Sequence, residues 1–530
     1  GAVRDITELA AVAPPWLIVA LPALGGLVVA PLVLRWAREA RGHGVPEVMG
    51  AIARSGARIR PRVSLVKAAA SVVTIGTGGS VGWEGPIVQI GAGVGSSAGQ
   101  WLGVARRQMR VLVACGAAAG IAATFNAPIA GVLFSVEILL GDLALATFTP
   151  IVVSSVAATA VSYYTFAEHA VFDIPDQTYR LQSLGELPLC VLLGLLAAAG
   201  AVGFTRVLYG FEDRMERLPV PPLLLPALGG LAVGGIGLLA PEALGVGYGT
   251  IGRSLDGEFT LGLLAVIFLL KTAATCCSIG SGGSGGVFAP SLVLGALLGG
   301  AFGDVVHRLL PDATAIPGVY AVVGMAAFVA GTTHAPMTAI LILFEMTNDY
   351  LMILPLMLAC VISSVTARGL YRDSIYTLKL TRRGIQFRGG RDVALLRSLS
   401  VRDTMRRSPT VLTLDLPFQE VRARAVQGAR QQVFPVLDRS ERVGGVVTLD
   451  TLRPFLLEEA LVGVAVARDL EIALPELLGP EDDLQYAEEL FSKSGLDELP
   501  VVEAESRRLL GLLRQRDVRA AYNKAVALAE

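Results

Sequence analysis

GTGGSVGWEGPIVQIGAGVG, from Gly76 to Gly95, returns later in the chain as GSGGSGGVFAPSLVLGALLG, from Gly280 to Gly299. At a constant offset of 204, Gly78, Gly79, Ser80, Gly82, Pro86, Gly91 and Gly95 meet Gly282, Gly283, Ser284, Gly286, Pro290, Gly295 and Gly299. Upstream of both blocks, Lys67 meets Lys271 at the same offset. A second echo pairs Gly116 to Glu137 with Gly324 to Glu345 at an offset of 208, so that Ala127, Pro128 and Glu137 recur as Ala335, Pro336 and Glu345. Long apolar repeats interrupted by Gly and Pro at matching places predict an all-α polytopic membrane domain with internal repeats and broken helices, its binding site lying between the halves.

Composition agrees. The chain is 53% hydrophobic and 17% charged, with 60 glycines in 530 residues, and its mean hydropathy of +0.61 excludes a soluble enzyme. Charge-free runs from Leu143 to Ala167, Pro219 to Ala240 and Ala313 to Phe344 reach the ~20 residues needed to cross a bilayer. Gly and Pro clusters near residues 42 to 46, 76 to 86 and 280 to 290 cut other apolar runs into pieces too short to span alone. Broken helices of that kind survive only where protein or a water-filled cavity satisfies their backbone. Lys379, Arg382, Arg383, Arg388 and Arg391 follow the last apolar run and place the remaining chain in the cytoplasm. Cys115, Cys190, Cys276, Cys277 and Cys360 lie in apolar segments without metal-ligand spacing and read as buried small side chains. With four histidines, no metal cluster and no nucleophile constellation, the chain is expected not to be an enzyme; no nucleic acid partner is expected, and the net charge of −1 says nothing about partners. It begins at Gly1 rather than Met, with no signal peptide before the first apolar run, so an amino-terminal piece is expected to be missing.

Residues 1–385 read as the membrane domain, with repeat halves about 15–167 and 185–380, and residues 386–397 as a linker. Beyond them, short strand-like and helix-like segments alternate in a charged background, predicting an α/β cytoplasmic region at 398–458 and 462–527. This region is doubled too, since VFPVLDRSERVGGVVTLDTLRP from Val433 to Pro454 matches LPVVEAESRRLLGLLRQRDVRA from Leu499 to Ala520. The arrangement resembles a tandem pair of cystathionine-β-synthase-type (CBS) domains.

GWEGP, Gly82 to Pro86, and GVFAP, Gly286 to Pro290, each set a proline at the start of a predicted helix, and GHGVP, Gly42 to Pro46, does the same. Helix amino termini carry roughly +0.5 of a charge, so several converging within the membrane form an anion site without a fixed cation. Close packing of membrane helices through glycine is the plainer account of any one motif; the register of two of them in a repeat favours the anion site. Glu84 is the acid of the repeated block. A carboxylate there can occupy an anion position and leave it when protonated, whereas simple helix capping is the alternative. Glu137 and Glu345, at matching ends of the second echo, suit capping or an ion pair as well as function.

These motifs resemble those of the CLC chloride channels and proton-coupled chloride transporters. GHGVP is similar to the family's GSGIP, GWEGP to GREGP or GKEGP, GVFAP to GxFxP, and FNAPIAGVLFSVE from Phe125 to Glu137 to the segment after the gate. The resemblance implies that Glu84 is the gating glutamate and that Gly44, Gly85 and the backbone amides of Val287 and Phe288 belong to the anion site. Tyr376 is similar to the tyrosine whose hydroxyl contacts the central anion, with Tyr371 a weaker candidate. It also implies inverted internal repeats, a multi-pass protein of a bacterial-type plasma membrane, a homodimer with one pore per subunit, chloride or a related small anion as ligand, and no required cofactor.

Two departures bear on mechanism. His43 stands where the family has a chloride-coordinating serine or, in nitrate transporters, a proline. It either contributes a pH-dependent contact to the anion or bonds to a neighbouring carbonyl away from the pore. Ile138 occupies the position of the proton-transfer glutamate of the transporters, with Glu137 beside it as a possible proton path. The sequence therefore favours channel-like passive conduction gated by Glu84 protonation, with a chloride/proton antiporter on a non-standard route as the alternative. A CBS-regulated membrane sensor is a second alternative. Thr448, Asp450 and Asp517 are candidates for an adenine nucleotide at the CBS pair, but Arg514 replaces the usual Ser or Thr, and a dimerisation module is the preferred reading.

Overall fold

The computed structural model describes residues 7, 10, 12–54, 56–141, 145–166, 182–347, 349–383, 396, 398–428, 431–453, 465–474, 476–504 and 506–529. Arg388, Arg391, most of the predicted linker and residues 454–464 lie outside them.

The first repeat half comprises α1 (Pro15–Trp36), α2 (Val45–Arg54), α3 (Pro61–Gly76), α4 (Glu84–Trp101), α5 (Arg106–Phe125), α6 (Pro128–Leu133, continuing as a π turn over Phe134–Leu140) and α7 (Leu145–Phe166). The second comprises α8 (Leu187–Glu216), α9 (Leu225–Leu239), α10 (Tyr248–Leu255), α11 (Leu261–Gly280), α12 (Phe288–Leu309), α13 (Pro317–Thr333), α14 (Pro336–Thr347), α15 (Ile353–Leu370) and α16 (Thr377–Arg382). Among the described residues six segments are long and apolar enough to cross a membrane: Pro15–Trp36, Gln108–Phe125, Leu187–Glu216, Leu261–Gly280, Phe288–Leu309 and Tyr350–Leu370.

Two of the charge-free runs differ from expectation. Pro219 to Ala240 yields only the 15 residues of α9, because helix formation waits until the prolines at 219, 221 and 222 are passed. Ala313 to Phe344 breaks at His334, whose φ of 59° ends α13, and restarts at Pro336. α13 is apolar on every side, and Gly318 to Thr333 are all buried, so this helix fills the centre of the domain rather than facing lipid. α1 is the converse, with Leu21, Leu24, Leu27 and Val28 exposed as a lipid-facing surface would require.

Contacts between the halves are reciprocal, which is the signature of a two-fold relation. Ser71 Oγ lies 3.1 Å from Ser284 Oγ, and their repeat counterparts Thr275 Oγ1 and Ser80 Oγ are also 3.1 Å apart. Gly82 and Gly286 exchange amide-to-carbonyl hydrogen bonds of 2.8 and 2.6 Å. A Cβ at Gly26 would collide with the Pro226 backbone, and one at Gly230 with the Pro22 backbone, so α1 and α9 cross at direct main-chain contact.

The described residues from 396 onward belong to a second compact unit. It contains α17 (Val401–Thr404), β1 (Leu412–Thr413), α18 (Phe418–Gln427), β2 (Val433–Leu437), β3 (Val443–Thr448), α19 (Leu449–Leu452), β4 (Ile472–Ala473), α20 (Leu484–Ser494), β5 (Glu498–Val502), β6 (Leu509–Arg514) and α21 (Gln515–Ala529). β1 to β4 form one sheet in sequence order and β5 pairs with β6. The two hairpins repeat each other down to a bulge, after Val436 in one and Val501 in the other.

Candidate anion site

The three glycine motifs meet through their backbones. Gly42 N donates to Gly283 O at 3.0 Å and Gly285 N to Gly42 O at 3.3 Å, while the Gly82–Gly286 pair joins the other two loops. Gly42 and Gly44 hold φ of 75° and 78°, a region costly for residues with a Cβ. Lys67, fully buried, fixes the first loop by donating to Ala40 O at 3.1 Å and Gly42 O at 2.6 Å. Its partner Lys271 does the same in the second half, donating to Ala243 O, Leu244 O and Gly245 O at 3.3, 3.5 and 2.9 Å. The loop held by Lys271 is GVGYG, Gly245 to Gly249, and its Gly245 and Gly247 repeat the positive φ of Gly42 and Gly44, at 60° and 93°. It is the counterpart of GHGVP, passed over in the sequence because the offset slips to 203 and only two glycines survive.

Glu84 opens α4, with Gly85 second and Pro86 third, while Phe288 opens α12, with Val287 before it and Pro290 third. First-turn amides have no intrahelical acceptor, so both helix starts offer donors to a charge between them. The Glu84 carboxylate fills that place. It is 1% exposed, and a Cβ at Gly82 would collide with its Oε2 and come within 3.0 Å of Ala289 Cβ on α12. Oε1 accepts from the Tyr248 hydroxyl at 2.7 Å, whereas Oε2 is buried with no hydrogen-bond partner. Tyr248 comes from the overlooked GVGYG loop and leans on Trp83, with ring centroids 5.5 Å apart.

His43 is 1% exposed and lies edge-on to Tyr209 of α8, with Nε2 3.2 Å from the Tyr209 hydroxyl. That hydroxyl donates to Ile375 O at 2.7 Å, and His43 Nδ1 is buried without a partner. Tyr376 packs on the other side, its ring centroid 6.1 Å from that of His43. Gly44 and Gly85 belong to the same knot, since a Cβ on Gly85 would strike His43 O. His43, Gly44, Glu84, Gly85 and Tyr376 thus gather around the start of α4. Tyr371 does not join them and instead lies under the Arg206 guanidinium at 5.3 Å. Glu47 of α2 forms ion pairs with Lys379 at 3.7 Å and Arg383 at 2.8 Å below the site.

Ile138 is 5% exposed within the apolar core. Glu137 accepts from Met337 N at 3.2 Å and from Thr338 N and Oγ1 at 2.7 Å, capping α14. Glu345 caps α6 in return, accepting from Ile129 N at 3.0 Å and Ala130 N at 2.7 Å. The capping alternative therefore describes both glutamates. All five cysteines are free and buried.

In the second unit the nucleotide candidates are apart in role. Thr448 Oγ1 caps α19 by accepting from Thr451 N at 3.0 Å, and Asp450 is an exposed partner of Arg453. Asp517 takes two 2.7 Å hydrogen bonds from Arg514 and lines a cavity of about 630 Å³ with Arg406, Gln432 and Leu449. Burial pushes the Asp517 carboxyl up, but the Arg514 hydrogen bonds and charge outweigh it and hold the group below the usual carboxylate range.

A family model described as "Voltage gated chloride channel" matches residues 25–368, and one described as "CBS domain" matches residues 475–524. A putative chloride channel protein ClcB-like from Ralstonia nicotianae is 39% identical over 393 residues, covering 72% of this chain and 90% of that protein. The voltage-gated ClC-type chloride channel ClcB of Escherichia coli is 35% identical over 364 residues, covering 68% and 86%. Among solved structures, a slow cyanobacterial Cl−/H+ antiporter is similar with TM-score 0.65 and 28% identity over 72% of this chain and 91% of that one. A eukaryotic CLC transporter, at 22% identity, shares the fold over 97% of this chain and 92% of its own, with TM-score 0.63. The chain belongs to the voltage-gated chloride channel (CLC) family. It is a multi-pass integral membrane protein of bacterial type with a CBS region after its membrane domain.

Proposed function

We propose that this protein carries chloride or a related small anion across the membrane and that Glu84 is its gate. The observation that carries the reading is the placement of the Glu84 carboxylate between the starts of α4 and α12, where a permeating anion must displace it. Displacement costs less when the carboxyl is protonated, so anion passage and protonation of Glu84 are linked. Chloride/proton exchange is favoured over the passive conduction that Ile138 alone suggests, because the cyanobacterial relative is a Cl−/H+ antiporter and because a seated gate must exchange places with the anion. Glu137 is not assigned a proton role, its oxygens being committed to α14. The capping of α14 favours passive conduction as the second reading. The subunits assemble as a homodimer, and the CBS pair stiffens it; an adenine nucleotide would first have to free Asp517 from Arg514.

Liposomes containing the purified protein, given a chloride gradient and valinomycin, test the proposal through simultaneous chloride and proton fluxes. Chloride-driven uphill proton movement is expected. Chloride movement without protons leaves the passive reading, and no chloride movement overturns anion transport altogether.

A further inference from the structure

We propose that His43 takes up a proton on Nδ1 together with the anion, so that anion binding beside it is proton-linked; this rests on the anion-transport reading above.

The argument is one of hydrogen inventory. A tyrosine hydroxyl has one proton to give. The Tyr209 hydroxyl is 2.7 Å from Ile375 O, a carbonyl that can only accept, so the proton is committed there. The 3.2 Å contact with His43 must then be made by Nε2–H donating to the Tyr209 oxygen. In a neutral imidazole with its proton on Nε2, Nδ1 is a bare acceptor. This Nδ1 is buried and meets no donor. A serine at this position would offer a hydroxyl proton to an anion, but neutral His43 offers only a lone pair, which repels one. His43 becomes a donor toward an anion only as imidazolium, with the Nε2–H still held by Tyr209.

The surroundings make the two binding events cooperative. Lys67 on α3 commits hydrogens to Ala40 O and Gly42 O, and Lys379 on α16 is paired with Glu47 on α2. Arg383 shares Glu47, Arg382 lies over the Tyr209 ring, Glu212 on α8 interacts electrostatically with Tyr209, Lys379 and Arg383, and Tyr376 and Glu84 are further titratable groups on the neighbouring elements. A proton arriving alone adds charge beside Lys67 and Lys379, whereas an anion arriving alone meets the Nδ1 lone pair. Arriving together, each removes the other's penalty, and the coupling is reciprocal. The proton comes from water and leaves with the anion, and no covalent bond other than N–H changes.

Chloride binding also displaces Glu84, which can itself take a proton, so the test uses Glu84→Gln protein. Calorimetry of sodium chloride binding in buffers of different ionisation enthalpy reads the protons taken up. Uptake of up to one proton per anion is expected, with affinity falling by as much as about tenfold per pH unit above neutrality, and both effects should vanish in Glu84→Gln/His43→Ser. Histidine-selective ¹⁵N spectra provide a readout independent of whether the second substitution folds, with one of the four histidines becoming imidazolium on chloride addition. Chloride binding without proton uptake or a histidine response overturns the proposal and leaves anion transport standing. Absence of any chloride binding overturns both.

Discussion

The block at Gly76–Gly95 and its copy at Gly280–Gly299 have the same backbone and different business. Where they agree, the residues build: the lysine that gathers the preceding loop's carbonyls, the Ser and Thr that pair across the two-fold, and the Gly82–Gly286 bridge. Where they disagree, the residues act. Glu84 faces Phe288 in the alignment, His43 faces Val246, and Tyr248 faces Val45. A symmetric scaffold thereby supports a site that is asymmetric, and the lesson is that function should be sought where the repeat fails.

The largest effect should come from breaking what the halves share. Lys67→Met removes two hydrogen bonds from a charged donor, worth about 1.5–3 kcal/mol each, and leaves Ala40 O with Ser284 Oγ and Gly42 O with Gly285 N as their remaining donors. Lys271→Met should cost a similar amount, since its carbonyls form the equivalent loop. Thermal unfolding followed by size-exclusion chromatography checks this, and a large loss in one variant with none in the other would show the two lysines are not equivalent. Next is the asymmetric acid. Glu84→Gln keeps the shape and removes the charge, so anion flux should rise by about tenfold or more, the equivalent of one ~1.4 kcal/mol interaction, and lose the part of its pH dependence that Glu84 supplies, leaving that of His43. Unaltered flux and pH response would remove Glu84 from the gate.

The repeat, the helix starts at Pro46, Pro86 and Pro290, Glu84 and His43 were all legible in the sequence, because glycine and proline at fixed spacing leave few alternatives for the backbone; the helix from Phe288, however, runs 22 residues and is not the piece too short to span that the glycine and proline cluster suggests. Tyr248 was not. Its loop keeps only two glycines of GHGVP and lies one residue out of register, so the signal was present in Lys271 and the paired glycines but not in any run of identities. Capping by Glu137 and Glu345 was an open alternative, but its mutual form across α6 and α14 was not visible, since the amides that donate to them lie some 200 residues away. Hydropathy overestimated the helix through Pro219 to Ala240 because it counts apolar side chains and is blind to where prolines forbid a turn. In the CBS region the hairpins were legible, but the ion pair that claims Asp517 depends on a fold-specific approach of Arg514.

Tyr248→Phe tests whether the asymmetric tyrosine serves the gate. It deletes one hydroxyl donor to Glu84, worth about 0.5–1.5 kcal/mol, and should loosen the carboxylate. Flux should rise several-fold, and its pH profile should move toward higher pH because the charged form loses support. The same substitution in a Glu84→Gln background should do little to the pH profile, and an equal shift there would assign Tyr248 a role apart from the gate.

The smallest effect lies in the other duplicated region, where the same contrast recurs. Thr448 and Thr451 share a 2.8 Å hydroxyl contact at the start of α19, whereas the matching positions, Arg514 and Asp517, form an ion pair. Because Asp517 is held below its ordinary range in the folded state, its contribution is present above the unfolded value, about pH 4, and is lost as pH falls through the lower folded value. Asp517 is 23% exposed, so screening limits the pair to about 0.5–1 kcal/mol. Asp517→Asn should therefore speed hydrogen exchange in α21 of the full-length protein by a few-fold at pH 7, and the difference from the unaltered chain should narrow toward pH 3. A difference that stays constant across that range would mean that the carboxylate charge is not what ties β6 to α21, and that the two modules, unlike the two membrane halves, differ at this position without consequence.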